Sequence, residues 1–240
     1  MMRRLRRALA RAIIIDRAPD EGSSAIDRIA RERAEENYRF ASRYVAGKEV
    51  LDIGGGAGIG HRYLLASQAA RVVSIDVHGG GAGTAKSDPR LAYLQGDFLS
   101  YSFPDRSFDV LLCIGTIFYL PQHDVAFRKM NRLLRPGGVL VINCINRELI
   151  ARYFGMELAE IDPKFTTSYT ARELSDQLAR HFEAMPEAFV QQPVTGTTGR
   201  LAALRVWIAP VRWLFGRHPV STAGAHVTAM FNYFVVRKAT

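Results

Sequence analysis

Cysteine is scarce in this sequence, with only Cys113 and Cys144 present. Two thiols exclude a disulfide scaffold and a cysteine-based structural zinc site. Both lie in apolar runs and read as buried thiols of a reducing compartment, and no metal-ligand set accompanies them. Long hydrophobic runs are missing as well. No apolar stretch approaches the roughly 18–20 residues that a membrane span needs. Arg3, Arg4, Arg6 and Arg7 precede Ile13-Ile14-Ile15 as in a signal peptide, but Arg11 and Asp16 bracket that run. It is far shorter than the roughly 7–15 residues of a signal core. The arginine-rich, acid-poor start equally fits a mitochondrial transit peptide. The chain is read as cytoplasmic.

Acidic residues are depleted in two places. Residues 1–17 hold six arginines and one aspartate, and residues 200–218 hold four arginines and no acid. These local charges of +5 and +4 account for the whole formal net charge of +9, leaving the rest of the chain neutral. A nucleic-acid binder spreads its basic footprint over a face of the fold, so no nucleic-acid partner is expected. Residues 200–218 also hold both tryptophans, Trp207 and Trp213. With the arginine-rich start, this suits an interfacial contact with an anionic membrane. The alternative is a lid that packs on the domain with its arginines in water.

The 240 residues, 48% hydrophobic and 23% charged, suffice for one domain with a full core. Residues 1–22 form a basic amphipathic extension, with Leu5, Ala8, Leu9, Ala12 and Ile13 at helical spacing. A domain over 23–240 follows, with an insert at about 192–228. A helix starts at Ser23 or Ser24 and runs to about Val45. Strands are expected at Glu49–Ile53, Val72–Ile75, Ala92–Leu94, Phe108–Ile114 and Val139–Cys144. Helices are expected at Arg62–Ala70 and Val125–Leu134, the latter closed by Arg135-Pro136-Gly137-Gly138. The alternation implies an α/β fold with a mostly parallel sheet covered on both faces. Beyond residue 148, Thr170-x-x-Glu173 announces a helix over 171–182. Strands follow at Glu187–Gln191 and Met230–Val236.

The run Val50-Leu51-Asp52-Ile53-Gly54-Gly55-Gly56-Ala57-Gly58 is a strand, a glycine turn and a helix start. Such a turn lets backbone approach a ligand, and the helix N-terminus favours an anionic group. A P-loop would need Gly-Lys before Ser or Thr, and Gly47-Lys48 precedes Glu49 ahead of the strand. A dinucleotide frame from Gly54 or Gly56 puts Ile59 or His61 where the last glycine belongs. The pattern that fits is Asp-x-Gly-x-Gly-x-Gly on Asp52, Gly54, Gly56 and Gly58.

With that pattern the sequence resembles the class I S-adenosylmethionine-dependent methyltransferases, specifically the bacterial group acting on small molecules, sugars and lipids. Four further signatures occur in order. They are Asp76 ending the second strand, Gly96-Asp97-Phe98 ending the third, Phe103–Val110 entering the fourth, and Leu133–Gly138 before the fifth. The resemblance covers roughly residues 36–148. It implies a Rossmann-like, doubly wound sheet of seven mostly parallel strands with N-terminal helices and a helical insert before the last strand. It implies S-adenosyl-L-methionine as cofactor, with S-adenosyl-L-homocysteine as product. It places the ribose hydroxyls on Asp76, beside Val77. Asp97 would receive the adenine amino group, and Phe98 would pack near the ring. Tyr38, in a stretch resembling the family's Arg-Tyr-x-Phe-Ala with Asn37 in place of Arg, would contact the cofactor as part of a lid. Cys113, within the fourth strand, joins this set, although its own surroundings read as core.

The acceptor side departs from the pattern. Phe118-Tyr119 stand where the family often has Glu-His, which makes this side more apolar. Base candidates are His61, Tyr119, His123 and Asp124, and the histidines and Asp124 read equally as helix-start residues. No catalytic residue is assigned. The expected function is methyl transfer to a small-molecule or lipid-linked acceptor, on a hydroxyl of a sugar, lipid precursor or secondary metabolite. A binding protein that kept the fold without turnover is the alternative. A nucleic-acid methylase is disfavoured because Cys113-Ile114-Gly115-Thr116 replaces Asn/Asp-Pro-Pro-Tyr/Phe.

Overall fold

The computed structural model describes residues 25–81, 88–183, 188–193 and 229–240, with isolated positions 4, 7, 10 and 83. Its strands are β1 (Glu49–Ile53), β2 (Arg71–Asp76), β3 (Leu91–Gln95), β4 (Phe108–Cys113), β5 (Leu134–Ile145), β6 (Ala188–Pro193) and β7 (Ala229–Arg237). The helices are α1 (Ala25–Ala41), α2 (His61–Ala66), α3 (His123–Leu133), α4 (Arg147–Phe154), α5 (Leu158–Ile161) and α6 (Ala171–Phe182). The strands form one sheet in the order β3-β2-β1-β4-β5-β7-β6. The first five pair in parallel, and β7 runs antiparallel between β5 and β6. The chain steps outward from β1 to β3 and then returns to place β4 beside β1. That reversal opens a crevice at the carboxyl ends of β1 and β4, where ligands of such sheets bind.

The apolar strands are buried on both faces, which is why they read as continuous hydrophobic runs. On one face Leu51, Ile53, Leu111, Cys113, Leu140 and Ile142 pack with Phe127 and Met130 of α3 and Phe182 of α6. Alternate residues Val50, Val72, Val110, Leu112 and Val141 face the other way, against Tyr38 and Ala41 of α1 and Leu64 of α2. Helix α6 has the capping box its sequence announces. Thr170 Oγ1 accepts from Glu173 N at 3.1 Å, and the Glu173 carboxylate accepts from Thr170 N at 2.8 Å.

Several boundaries differ from the sequence reading. Helix α3 stops at Leu133, and β5 begins at once, pairing Leu134 with Phe108. The Arg135–Gly138 stretch is therefore an irregular part of the strand, with Gly137 at φ +72, rather than a separating turn. Helix α2 ends at Ala66 instead of 70 because Gln68 turns left-handed at φ 61. Helix α1 ends at Ala41 and a 3-10 turn, Ser42–Tyr44, completes the approach to β1. Helices α4 and α5 were not expected from the sequence, although Asn146 caps the first and Glu157 with Glu160 forms a capping box on the second. The basic segments 1–17 and 200–218, the extension over 1–22 and the insert over 192–228 lie almost wholly outside the described residues. Among the described residues no helix is long and apolar enough to cross a membrane.

Candidate active site

The glycine loop leaves β1 pinned to its neighbour strand, with Gly54 N donating to Ile75 O at 2.8 Å. Gly54 has φ +81, and a Cβ there would lie 2.1 Å from Thr116 Oγ1, so both conformation and space demand glycine. A Cβ at Gly55 would lie 2.0 Å from Ser74 Oγ. Gly56 differs. It has φ +54, and nothing lies within 4 Å of where its Cβ would be. The loop is thus packed against β2 and β4 at its start and faces open space at its centre. Gly58, at φ +79, leads toward α2.

Two carboxylates, Asp52 and Asp76, flank this loop, and a third, Asp97, follows β3. Asp52 is 0% exposed and receives the Tyr38 hydroxyl, which lies 3.1 Å from each of its oxygens. Ser74 Oγ stands at 3.5 Å. Burial, reinforced by the charge of Asp76, pushes the Asp52 carboxyl up to about 7, against the pull of the Tyr38 and Ser74 hydrogen bonds. Asp76 accepts from Gly56 N at 2.9 Å and from His78 N at 2.8 Å, one bond per oxygen. Each oxygen keeps a further lone pair for a hydroxyl donor. Val77, 57% exposed, offers an apolar surface next to it. Asp97 is exposed at the end of β3, where it accepts from Leu99 N and Ser100 Oγ, both at 3.0 Å.

The other expected cofactor residues sit deeper. The Phe98 side chain is 3% exposed and belongs to the hydrophobic core, with Lys129 Nζ 5.0 Å from its ring centre. Cys113 is fully buried at the end of β4, and burial raises its thiol further, so it stays protonated.

Residues that the sequence reading missed complete the frame. Tyr93 Oη lies 2.9 Å from Gly56 O and also reaches His78 O, tying the loop to the end of β2. Its single proton serves one carbonyl at a time. Its ring lies 2.3 Å from where a Gly81 Cβ would be, which explains the glycine there. Lys129 of α3 is buried, and its ammonium reaches the carbonyls of Phe98 (2.6 Å), Leu99 (3.0 Å) and Tyr101 (2.5 Å). It thereby fixes the turn that carries Asp97. Burial and then Arg132 lower its ammonium below the usual lysine range, while Asp97 opposes them. The only sequence signal was a charged residue on the apolar face of an amphipathic helix.

The four base candidates are not brought together. His61 is buried at the start of α2, edge-on to Tyr93 at 6.0 Å, and burial lowers it to about 4. Tyr119 packs with Phe118 and Phe165 at ring distances of 4.9 and 5.1 Å. Asp124 pairs with His181 at 3.0 Å on the surface. His123 Nδ1 meets the Tyr169 hydroxyl at 2.5 Å.

Residues 51–142 match a family model described as a methyltransferase domain. A probable S-adenosylmethionine-dependent methyltransferase of Mycolicibacterium smegmatis is 30% identical over 155 residues, 60% of this chain and 59% of the relative. A fatty-acid O-methyltransferase of the same organism is 34% identical over 98 residues, 39% of this chain and 36% of its own. The chain spans between 26% and 59% of the length of such curated relatives. Among solved structures, a Burkholderia thailandensis 1,6-didemethyltoxoflavin-N1-methyltransferase, crystallised with its namesake ligand and S-adenosylhomocysteine, superposes with a TM-score of 0.60. It is 16% identical, with 92% of this chain and 93% of that one covered. The [4+2]-cyclase SpnF superposes with a TM-score of 0.61 at 19% identity, covering 92% and 85%. Likeness at this identity concerns the fold alone. The glycine loop, the carboxylates near the ends of β1, β2 and β3, and the matched domain agree: residues 51–142 are similar to the methyltransferase domain of the class I S-adenosylmethionine-dependent enzymes.

Proposed function

We propose that this protein transfers a methyl group from S-adenosylmethionine to a hydroxyl of a small molecule, such as a sugar, lipid precursor or secondary metabolite. The observation that carries the cofactor half is the open space at Gly56 between the Asp52–Tyr38 pair and Asp76. A group with two vicinal hydroxyls, a cationic end and an adenine fits that row of carboxylates. Asp76 would hold the ribose hydroxyls, Asp97 the adenine amino group, and the backbone of the Gly54–Gly58 loop would lie against the rest. Asp52, whose burial favours its protonated form, would favour a cationic ligand once ionised. Bound there, S-adenosylmethionine supplies an electrophilic methyl group on a sulfonium. Alignment and exclusion of water supply much of the rate in such a displacement.

An oxygen acceptor is favoured by the relative named as a fatty-acid O-methyltransferase. Cys113-Ile114-Gly115-Thr116 after β4 offers no side chain suited to stacking an extruded base, which argues against nucleic acid. Residues 1–17 and 200–218 would bring the domain to an anionic surface, in keeping with a lipid-linked acceptor. Flotation with anionic liposomes tests that part. Loss of flotation on deleting residues 1–17 supports it, and failure of the intact protein to float contradicts it. The function itself is tested by incubating the protein with S-adenosylmethionine labelled in its methyl group and separate pools of polyols, phenols and hydroxy-lipids. Label recovered as a methyl ether supports the reading. Tight cofactor binding with no transfer to any pool favours a binding protein on the same fold.

A further inference from the structure

A solvent-open cavity of about 690 Å³ lies between the start of α3 and the segment that leads into α6. One wall is Leu120–Val125, which follows β4 after the turn at Ile117–Tyr119. The other is Thr166–Tyr169, tied to the end of β5 by the Asn146–Tyr169 bridge and by Arg147 N donating to Tyr169 O at 3.2 Å. The two walls are joined where Thr166 Oγ1 donates to Leu120 O at 2.7 Å. The cavity therefore sits at the carboxyl ends of β4 and β5, on the edge where the glycine loop leaves β1. Strand β4 is the direct neighbour of β1, about 4.8 Å away.

The chemistry of its lining is uneven. Leu120 and Val125 are apolar, and exposed Arg128 stands at the side. Gln177 Oε1 is buried with no hydrogen-bond partner. His123 Nδ1 and Tyr169 Oη, 46 residues apart in sequence, meet in the wall at 2.5 Å. His123 Nε2 is buried and makes no hydrogen bond of good geometry. Burial disfavours a charged His123 ring, whereas the carbonyls of Leu120 and Ile117 and the carboxylate of Asp124 favour it. Buried polar atoms without partners are rare in native folds and mark places where a ligand or water completes the set.

We propose that this cavity holds the methyl acceptor, a small molecule with a hydroxyl against Tyr169 Oη and a second donor for Gln177 Oε1, and that Tyr169 and His123 together take up the hydroxyl proton. The proposal rests on the methyltransferase reading above. In the neutral pair the Tyr169 hydroxyl donates to His123 Nδ1, which leaves a lone pair on Oη for the acceptor's hydroxyl. As the acceptor oxygen forms its bond to the methyl carbon, the carbon–sulfur bond breaks and the sulfonium becomes a neutral thioether. The acceptor proton passes to Tyr169 Oη while the tyrosine proton passes to His123 Nδ1. One proton is lost by the acceptor and one is gained by the imidazole. Tyrosinate never accumulates, which is required because burial pushes the Tyr169 hydroxyl up to about 12.

Catechol and methyl glucoside serve as probes, the first a vicinal diol on an apolar ring and the second on a sugar. Each is titrated into protein saturated with S-adenosylhomocysteine, and the imidazole nitrogens are followed by NMR on histidine-labelled samples. A His123→Gln variant assigns the signal. The expected result is a saturable shift of the His123 nitrogens with at least one probe. Tyr169→Phe should weaken that probe roughly fivefold or more, with S-adenosylhomocysteine affinity unchanged within about twofold. Catechol alone acting points to a phenolic acceptor, and the glucoside alone to a sugar. Silent His123 signals with both probes, or undiminished binding by Tyr169→Phe, would overturn the proposal while leaving the cofactor site intact. Failure of S-adenosylhomocysteine to bind would remove the methyltransferase reading and the proposal with it.

Discussion

The two halves of the crevice are built by different means. On the side proposed for the cofactor the decisive contacts come from backbone: Gly54 N on Ile75 O, and Gly56 N and His78 N on Asp76. On the side proposed for the acceptor they involve side chains reaching groups far apart in sequence, such as His123 with Tyr169 and Thr166 with the carbonyl of Leu120. A backbone cradle needs residues with special conformations at fixed spacing, so it leaves a motif. A side-chain cavity needs only that two elements meet, so it leaves none. The same contrast separates a site whose ligand is common to a family from one whose ligand is not.

Two glycine variants sharpen that difference most strongly. Gly54→Ala forces a Cβ to within 2.1 Å of Thr116 at a positive φ, so the damage falls on the fold. Its cost is about 2–5 kcal/mol, read as a lowered denaturation midpoint. Gly56→Ala meets no atom of the protein and strains only its own backbone, for about 1 kcal/mol. Its methyl group enters the ligand's space, so cofactor affinity should fall by roughly tenfold or more while the midpoint barely moves.

Lys129→Met leaves three carbonyls of the Asp97 turn without their common donor. A stability loss of about 1–3 kcal/mol is expected from chemical denaturation. S-adenosylhomocysteine binding should also lose its preference for adenine over hypoxanthine, because that turn carries the residue expected to receive the amino group. An unchanged preference would confine Lys129 to a role in the core.

The pH dependence of stability tests the Asp52 environment. Its folded value of about 7 lies above the ordinary 3.8, so the folded state holds this proton more tightly than the unfolded chain. The stability this contributes is complete below about pH 4 and is lost as pH rises toward 7. Asp52→Asn should flatten that fall and leave the variant more stable than the parent above pH 7. A parallel pair of pH–stability curves would contradict the assigned burial. The smallest effect is expected at α6, where Thr170→Ala removes one half of the capping box for about 1 kcal/mol.

What was legible in the sequence follows from the same physics. The five parallel strands show as apolar runs because both faces are buried. Asp52, Asp76 and Asp97 show because each ends a strand at the crevice. Thr170 and Glu173 show because capping is local. Tyr93 was not legible, since nothing at position 93 signals that its hydroxyl will reach Gly56 O across the sheet. Lys129 could be seen only as an oddity on an apolar helix face. The Arg135–Gly138 stretch misled because proline and glycines usually break elements, whereas here they ride within β5, which stays paired to β4. The ring of Phe98 lies in the core because its turn is drawn inward by Lys129, a contact spanning 31 residues.

The most direct test of the account is calorimetric titration of S-adenosylhomocysteine into the parent protein and into Asp76→Ala. The account predicts saturable binding by the parent, weakened roughly ten- to a hundredfold in the variant through loss of charge-assisted hydrogen bonds to the ribose. No binding by the parent, or equal binding by both proteins, would contradict the placement of the cofactor across the ends of β1 and β2.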